Sequence, residues 1–267
     1  MSLYGLLSEY KSNIKLGSPR DSHEIAMMKA VNGEIEKVSG KSGITIKLGS
    51  YTFDHIIGMN SNFPGDPKAD VSLVGLVDGK PEEVAFISYK APGGAKAFQQ
   101  FSGLTNKSGT TISRDPIVLK FLKSAGKHIE SFSRGKSTAV LGIPAAYFGV
   151  PNTSSGQLLV RRSMFGPEYK LIGRSTLGGN KNNVHVIVQG HPTLKKTSNG
   201  YLLTFSDQVH SNNESINWVF KGDYTATLAG TFRNDRGFEV GSTKYNNFRV
   251  GLYPFVFVKG RRGAVKL

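Results

Sequence analysis

The sequence predicts an α/β protein with a mixed central sheet flanked by helices and a β-rich, basic C-terminal half. Two segments show helical spacing of apolar residues, two extended segments flank a turn, and the pattern changes near residue 135. Beyond that point, short apolar runs such as QLLVRRS, VHVIVQG and GYLLTFS alternate with Gly, Asn and Ser turns. We therefore predict a core over residues 1–134 and a β-rich basic region over residues 135–267. The boundary is soft, and both parts can belong to one domain.

A first helix is predicted from about Ser22 to Val38, with Asp21 or Ser22 as its N-cap. The apolar side chains of its predicted inner face are Met28, Val31, Ile35 and Val38. One turn earlier this stripe reaches Glu24, and an acid there is unusual unless it faces a site. Glu34 is the alternative if the helix is rotated, and a plain first-turn acid that complements the helix dipole is the competing interpretation of Glu24.

A second helix is predicted over Pro116 to Phe132, with a shorter helical stretch, AKAFQQFSGL, after Gly93–Gly94. The apolar positions expected to face the core in the second helix are Ile117, Leu119, Phe121, Leu122 and Ile129.

Two extended segments, residues 69–77 and 84–90, flank the turn sequence Asp78-Gly79-Lys80-Pro81 and predict a β-hairpin. Opposed residues in an antiparallel pair have a constant sum of positions, so a hairpin centred on residue 80 sets Asp70 opposite Lys90. Ser88 lies two residues before Lys90 and projects from the same face. The pattern thus gathers a carboxylate, a hydroxyl and an ammonium group. An ordinary cross-strand salt bridge is the simpler alternative for the Asp70–Lys90 pair.

Such a cluster suits phosphodiester hydrolysis. A carboxylate can hold Mg²⁺ while the metal keeps several waters, and a bound metal activates water and neutralises charge on the phosphate. A nearby lysine can orient the attacking water and stabilise the developing negative charge.

The run Gly65-Asp66-Pro67-Lys68-Ala69-Asp70-Val71, followed by Phe86-Ile87-Ser88-Tyr89-Lys90, resembles the PD-(D/E)XK nucleases, which include many type II restriction endonucleases. The resemblance covers about residues 20–105. It implies a restriction-endonuclease-like fold and a Mg²⁺-dependent DNA endonuclease that also accepts Mn²⁺. It matches Asp70 to the first acid, Lys90 to the lysine and Glu24 to the helix acid, and it makes the backbone carbonyl of Tyr89 a metal ligand. Ser88 departs from the pattern, because the family usually has Asp or Glu at that position.

The chain carries 34 Lys and Arg residues against 19 Asp and Glu residues, a net charge of +15. Residues 131–267 hold 18 of the basic and 6 of the acidic residues, so this excess predicts a polyanion partner for the second half, and the resemblance implies that this partner is double-stranded DNA. The predicted DNA-contacting residues are Lys68, Lys96, Gln99, Gln100, Arg161, Arg162, Arg233, Asn234, Arg236, Lys244, Asn246 and Arg249. By analogy with restriction enzymes we also expect a homodimer.

Other classes of site have less support. The chain has no cysteine, no His-x-x-x-His pair and no phosphate-binding glycine motif. We expect no membrane span and no leader peptide, and a cytoplasmic location. Two alternatives stay open: a structure-selective recombination or repair nuclease, and a non-catalytic DNA-binding protein on a decayed nuclease fold.

Overall fold

The computed structural model describes residues 22–61, 67–93, 102–103, 114–133, 144–151, 153–166, 179–214, 226–232, 238–240, 243–245, 248–254 and 265–266. The chain divides into two compact units, Met1–Ala97 with Glu168–Asn217, and Phe98–Pro167 with Trp218–Leu267. Both units therefore draw on both of the regions that the sequence suggested.

The described helices are α1 (Ser22–Val38), α2 (Pro116–Ser133) and α3 (Ser154–Phe165). The first strands along the chain are β1 (Ile44–Leu48), β2 (Tyr51–Asn60), β3 (Val71–Val77), β4 (Lys80–Lys90), β5 (Ser102–Gly103) and β6 (Pro144–Gly149). The middle strands are β7 (Val186–Gln189), β8 (Pro192–Thr197), β9 (Gly200–Phe205) and β10 (Gln208–Ser211). The last strands are β11 (Ala226–Phe232), β12 (Phe238–Val240), β13 (Thr243–Tyr245), β14 (Phe248–Pro254) and β15 (Val265–Lys266).

The first unit is built on an eight-stranded sheet in the order β10-β7-β4-β3-β2-β1-β9-β8. Strands β1 to β4 form an antiparallel meander. The pairs β4–β7 and β1–β9 are parallel, so the sheet is mixed, as the sequence predicted.

Strands β7 and β8 pair with β10 and β9 as one long antiparallel hairpin, which bends at a corner formed by residues 190–191 and 206–207. Gln189 pairs with Gln208 before the corner and Pro192 pairs with Phe205 after it, in one continuous register. The corner is held by the N–H of His191, which donates to Ser206 Oγ at 3.0 Å. Because one arm pairs with β4 and the other with β1, the hairpin joins the two edges of the meander and the sheet is curled.

Helix α1 has the bounds that the sequence predicted, and it packs on β2 and β8. It buries Met27, Val31 and Ile35 among the sheet's apolar residues. Of the predicted stripe, Met28 is partly buried and packs against this core beside the fully buried Met27, whereas the prediction for Val38 is wrong, because it is 39% exposed. The buried residues follow a spacing of four along the helix, which turns Val38 away from the sheet.

The β3–β4 hairpin closes with a two-residue turn, Asp78–Gly79. Both residues have positive φ, 51° for Asp78 and 75° for Gly79. This is the backbone of a type I′ turn, whose twist matches that of the flanking strands and for which Asp-Gly is a preferred sequence. The turn signal in the sequence is thus confirmed.

The second unit contains a five-stranded sheet in the order β15-β6-β11-β14-β5 and the small hairpin β12–β13. Helix α2 packs on β6 and β11, and α3 contacts β5. The prediction of α2 is confirmed, but Val118 is buried there while Leu119 is 37% exposed.

The run QLLVRRS lies in α3, so its prediction as a strand is wrong. Thr153 caps the helix by accepting from Gly156 N, and Gly166 ends it with φ 133°. These caps outweigh the β-branched and apolar residues of the run. No helix in the described ranges is long and apolar enough to cross a membrane.

Candidate active site

Asp70 stands directly before β3, and β4 fixes its carboxylate. The N–H of Asp70 donates to the carbonyl of Ile87 at 2.9 Å, which anchors its backbone. Its Oδ2 accepts the hydroxyl of Ser88 at 3.0 Å and the N–H of Tyr89 at 2.7 Å. The carboxylate therefore has one orientation, set by two donors of the neighbouring strand.

The predicted opposition of Asp70 and Lys90 is wrong by two residues. Val71 pairs with Ile87, so Asp70 faces Ser88. Two local features set the observed register. The hairpin turns at Asp78–Gly79 and not at residue 80, and a bulge between Leu73 and Val74 places one extra residue in β4. The carboxylate, hydroxyl and ammonium groups still lie on one face, but Ser88 and not Lys90 is opposite Asp70, and Lys90 lies two residues farther along β4.

The backbone carbonyl of Tyr89 lies on the Asp70 side of β4. The N–H and C=O of a strand residue point to the same side, and the Tyr89 N–H is bonded to Asp70. The Tyr89 side chain is buried in the core, with its ring centroid 6.4 Å from that of Phe205. The strand conformation of Tyr89 and its N–H bond to Asp70 therefore set the direction of the carbonyl.

Lys68, which the sequence suggested as a DNA contact, lies close enough to Asp70 and Lys90 to feel both charges. The pKa of Lys68 is lowered from 10.5 to about 7, mainly by burial and also by the positive charge of Lys90, while the negative charge of Asp70 opposes both effects. Two half-buried lysines thus accompany one carboxylate at this end of the sheet.

Glu24 is half-buried in the first turn of α1. Helix α1 packs on the face of the sheet that carries Ile87 and Tyr89, whereas Ser88 and Lys90 alternate to the other face. Glu24 can therefore approach Asp70 only around the end of the sheet, and its place in the site stays a prediction. The alternative acid, Glu34, is at the surface in an ion pair with Lys37 at 2.6 Å.

Three polar residues that the sequence did not indicate extend the same face of the sheet across β7 and β10. Gln189 pairs with Lys90, Gln208 pairs with Gln189, and His210 lies opposite Ile187. Gln189 is fully buried. Its position at the end of the apolar run VHVIVQ was the available signal, since a buried glutamine needs partners.

A second acid also lies on this face. Glu83 Oε1 accepts from Ser72 Oγ at 2.9 Å and from Asn60 Nδ2 at 3.4 Å. Burial raises the pKa of Glu83, while these hydrogen bonds and the charge of Lys181 lower it. The Lys181 carbonyl accepts from the N–H of Ala69 at 2.9 Å, which ties the turn around Lys181 to the residue before Asp70.

His185 is a structural residue. Its ring stacks on Phe86 at 6.2 Å and meets the rings of Tyr51 and Phe53 edge-on. Burial lowers its pKa to about 4. Both ring nitrogens of His185 face backbone N–H groups, those of Phe86 and Gly179, and not the Asp70 carboxylate.

The remaining predicted DNA contacts fall into two groups. Arg161 and Arg162 lie in α3, Lys244 lies in β13 opposite Glu239, and Arg249 lies in β14, all in the second unit. The others lie outside the described residues: Lys96, Gln99, Gln100, Arg233, Asn234, Arg236 and Asn246.

A divalent cation at this site would have few protein ligands. Within the described ranges, no group of three or more His, Cys, Asp and Glu residues could hold a metal ion. The Asp70 carboxylate and the Tyr89 carbonyl are both oxygen donors at one strand edge. Mg²⁺ commonly binds through one or two carboxylates and completes its shell with waters and substrate phosphate, so this set fits Mg²⁺.

Comparison with protein-family models, with curated proteins and with solved structures found no match to this chain.

Proposed function

We propose that this protein is a Mg²⁺-dependent DNA endonuclease of the restriction type, with a restriction-endonuclease-like core in its first unit. The observation that supports this most directly is the fixed carboxylate of Asp70, which accepts from Ser88 and Tyr89 of the next strand, with Lys90 on the same face. The sequence resemblance to PD-(D/E)XK nucleases points to the same residues.

Each residue has a distinct role in this proposal. Asp70 and the Tyr89 carbonyl would hold Mg²⁺, which when bound supplies an activated water and neutralises charge on the scissile phosphate. Ser88 donates to Asp70 Oδ2 and so keeps the carboxylate oriented. Lys90 orients the attacking water and stabilises negative charge that develops on the phosphate.

The partner in this proposal is double-stranded DNA. The net charge of +15 favours a polyanion, and most of the excess lies in residues 131–267. Contacts from lysine and arginine to phosphates position a protein on DNA without reading sequence. We further propose a homodimer, because a two-fold enzyme matches the two-fold symmetry of a palindromic site.

The test is cleavage of phage-sized duplex DNA in Mg²⁺ by the wild-type protein and by the Asp70→Asn and Lys90→Ala variants. Asp78→Asn and Lys80→Ala are matched controls, because both residues lie at the exposed hairpin turn far along β3 and β4 from the site. We expect discrete bands from the wild type and the controls, and none from the two site variants.

Other outcomes separate the alternatives. A smear that depends on Asp70 and Lys90 would favour a structure-selective nuclease over a site-specific one. Salt-sensitive DNA binding without cleavage in Mg²⁺ or Mn²⁺ would contradict the catalytic proposal and leave a DNA-binding protein.

A further inference from the structure

The corner of the long hairpin clamps the segment that follows Ser88. The N–H of Gly190 donates to the carbonyl of Lys90 at 3.2 Å, and Gln189 Nε2 donates to the carbonyl of Ala91 at 3.1 Å. The N–H of Gly93 in turn donates to Asp207 Oδ2 at 3.0 Å. Three successive anchors thus fix the backbone from the Lys90 carbonyl to Gly93, directly after the Lys90 side chain.

Gln189 is itself held in one orientation. Gln208 Nε2 donates to Gln189 Oε1 at 2.6 Å, and His210 Nε2 lies 2.8 Å from Gln208 Oε1. An amide oxygen only accepts, so His210 Nε2 must carry a proton and donate. The donors therefore point in one direction, from His210 through Gln208 and Gln189 to the carbonyl of Ala91.

Stability alone gives a weak reason for this arrangement. A fully buried glutamine is costly unless each of its polar atoms is paired, and an apolar side chain of similar size carries no such requirement. This series of hydrogen bonds ends on one specific acceptor, the carbonyl of Ala91, the residue after Lys90. A lysine that orients water must hold its ammonium group to within a fraction of an ångström, because small misplacements of a reacting group cost large factors in rate.

We propose that Gln189 is a positioning residue for Lys90: through Ala91 it fixes the direction of the lysine, and Gln208 and His210 fix the direction of Gln189. This inference rests on the proposed nuclease function. It makes the β7–β10 hairpin part of the catalytic apparatus, although no residue of that hairpin was expected there.

The test compares Gln189→Met and Gln189→Glu with the wild type in steady-state cleavage at saturating Mg²⁺. Methionine matches the size of glutamine but cannot donate to Ala91 or accept from Gln208, whereas glutamate keeps only the acceptor. We expect kcat to fall by about 10- to 100-fold in both variants, with KM for DNA within a factor of about two. Gln208→Met leaves the bond to Ala91 in place and should lower kcat only a few-fold.

Asn32→Leu is the matched control for loss of a clamping amide. Asn32 Nδ2 donates to the Met59 carbonyl at 3.0 Å and its Oδ1 accepts from the Met59 N–H at 2.6 Å, in α1 and β2. We expect this variant to lower the melting temperature about as much as Gln189→Met while kcat stays unchanged well below that temperature.

The outcomes separate this inference from the proposed function. If the wild type cleaves and both Gln189 variants keep its kcat, the glutamine is only structural and the inference is wrong. If the wild type cleaves no DNA, the nuclease proposal fails, and the inference fails with it. If Gln189→Met does not fold, Gln189→Glu decides, because it retains the bond from Gln208.

Discussion

Lowering the pH from 7 to 5 should destabilise this protein through the protonation of His185. Phe86 N donates to its Nδ1 at 3.0 Å and Gly179 N lies 3.2 Å from its Nε2. A neutral imidazole offers an acceptor to one of these donors, while the protonated ring offers none to either. Burial among Phe86 and its aromatic neighbours lowers the pKa to about 4.

The size of the effect follows from this pKa. In the unfolded chain His185 takes up a proton near pH 6.5, whereas in the folded protein it does so only near pH 4. The stability due to the neutral ring is therefore fully present above pH 6.5 and is lost as the pH falls toward 4. The complete loss is about 3 kcal/mol, of which about 2 kcal/mol falls between pH 7 and pH 5.

The assay is urea unfolding followed by circular dichroism at several pH values from 7 to 5. We expect His185→Phe to keep the ring stack but to lose stability at pH 7, because the Phe86 N–H loses its acceptor. Between pH 7 and pH 5 the wild type should lose about 2 kcal/mol of unfolding free energy through His185, and the His185→Phe variant should lack this loss. His191→Gln, at an exposed histidine, should keep the wild-type slope. Equal slopes for His185→Phe and the wild type would refute the reasoning.

Two further predictions concern the β3–β4 hairpin. Ser88→Asp sets a second carboxylate against Asp70, so it should lower the melting temperature without metal and enlarge the rise caused by Mg²⁺. Thermal unfolding with and without Mg²⁺ measures this, with Ser88→Asn as the uncharged control, and an unchanged Mg²⁺ effect would contradict the predicted metal position. Gly79→Ala should cost about 1 kcal/mol of unfolding free energy, because an added Cβ meets no atom within 4 Å and only the positive φ of 75° opposes it. Gly43→Ala should cost more in the same denaturation assay, since its Cβ would lie 2.6 Å from the His55 backbone, and equal costs would contradict this account.

The sequence predicted the parts of the fold that depend on local signals. The bounds of α1 and the Asp78–Gly79 turn follow from a capping residue, helical spacing and a preferred turn dipeptide, all of which are local. The α3 strand prediction failed because the apolar run QLLVRRS suits either structure, and the deciding caps at Thr153 and Gly166 lie just outside it.

The features that the sequence could not supply are non-local. The bulge that sets Asp70 against Ser88 arises where β3 and β4 pair, and no turn residue marks it. The parallel pairing of β4 with β7 joins residues about a hundred positions apart and brings Gln189 beside Lys90. Gln189 ends an apolar run of the sequence, and its burial depends on the pairing of β10 with β7.

Asp70 has a structural task as well as its proposed catalytic one. Its carboxylate accepts a hydrogen bond from the N–H of Tyr89, which would otherwise need an acceptor on the backbone of β3. An alanine at this position would leave that N–H and the Ser88 hydroxyl without their shared acceptor, so a loss of activity could reflect a disturbed strand end. Asparagine keeps an acceptor oxygen and removes the charge. Asp70→Asn therefore isolates the negative charge that metal binding requires, and together with Lys90→Ala it separates the chemistry of this site from its packing.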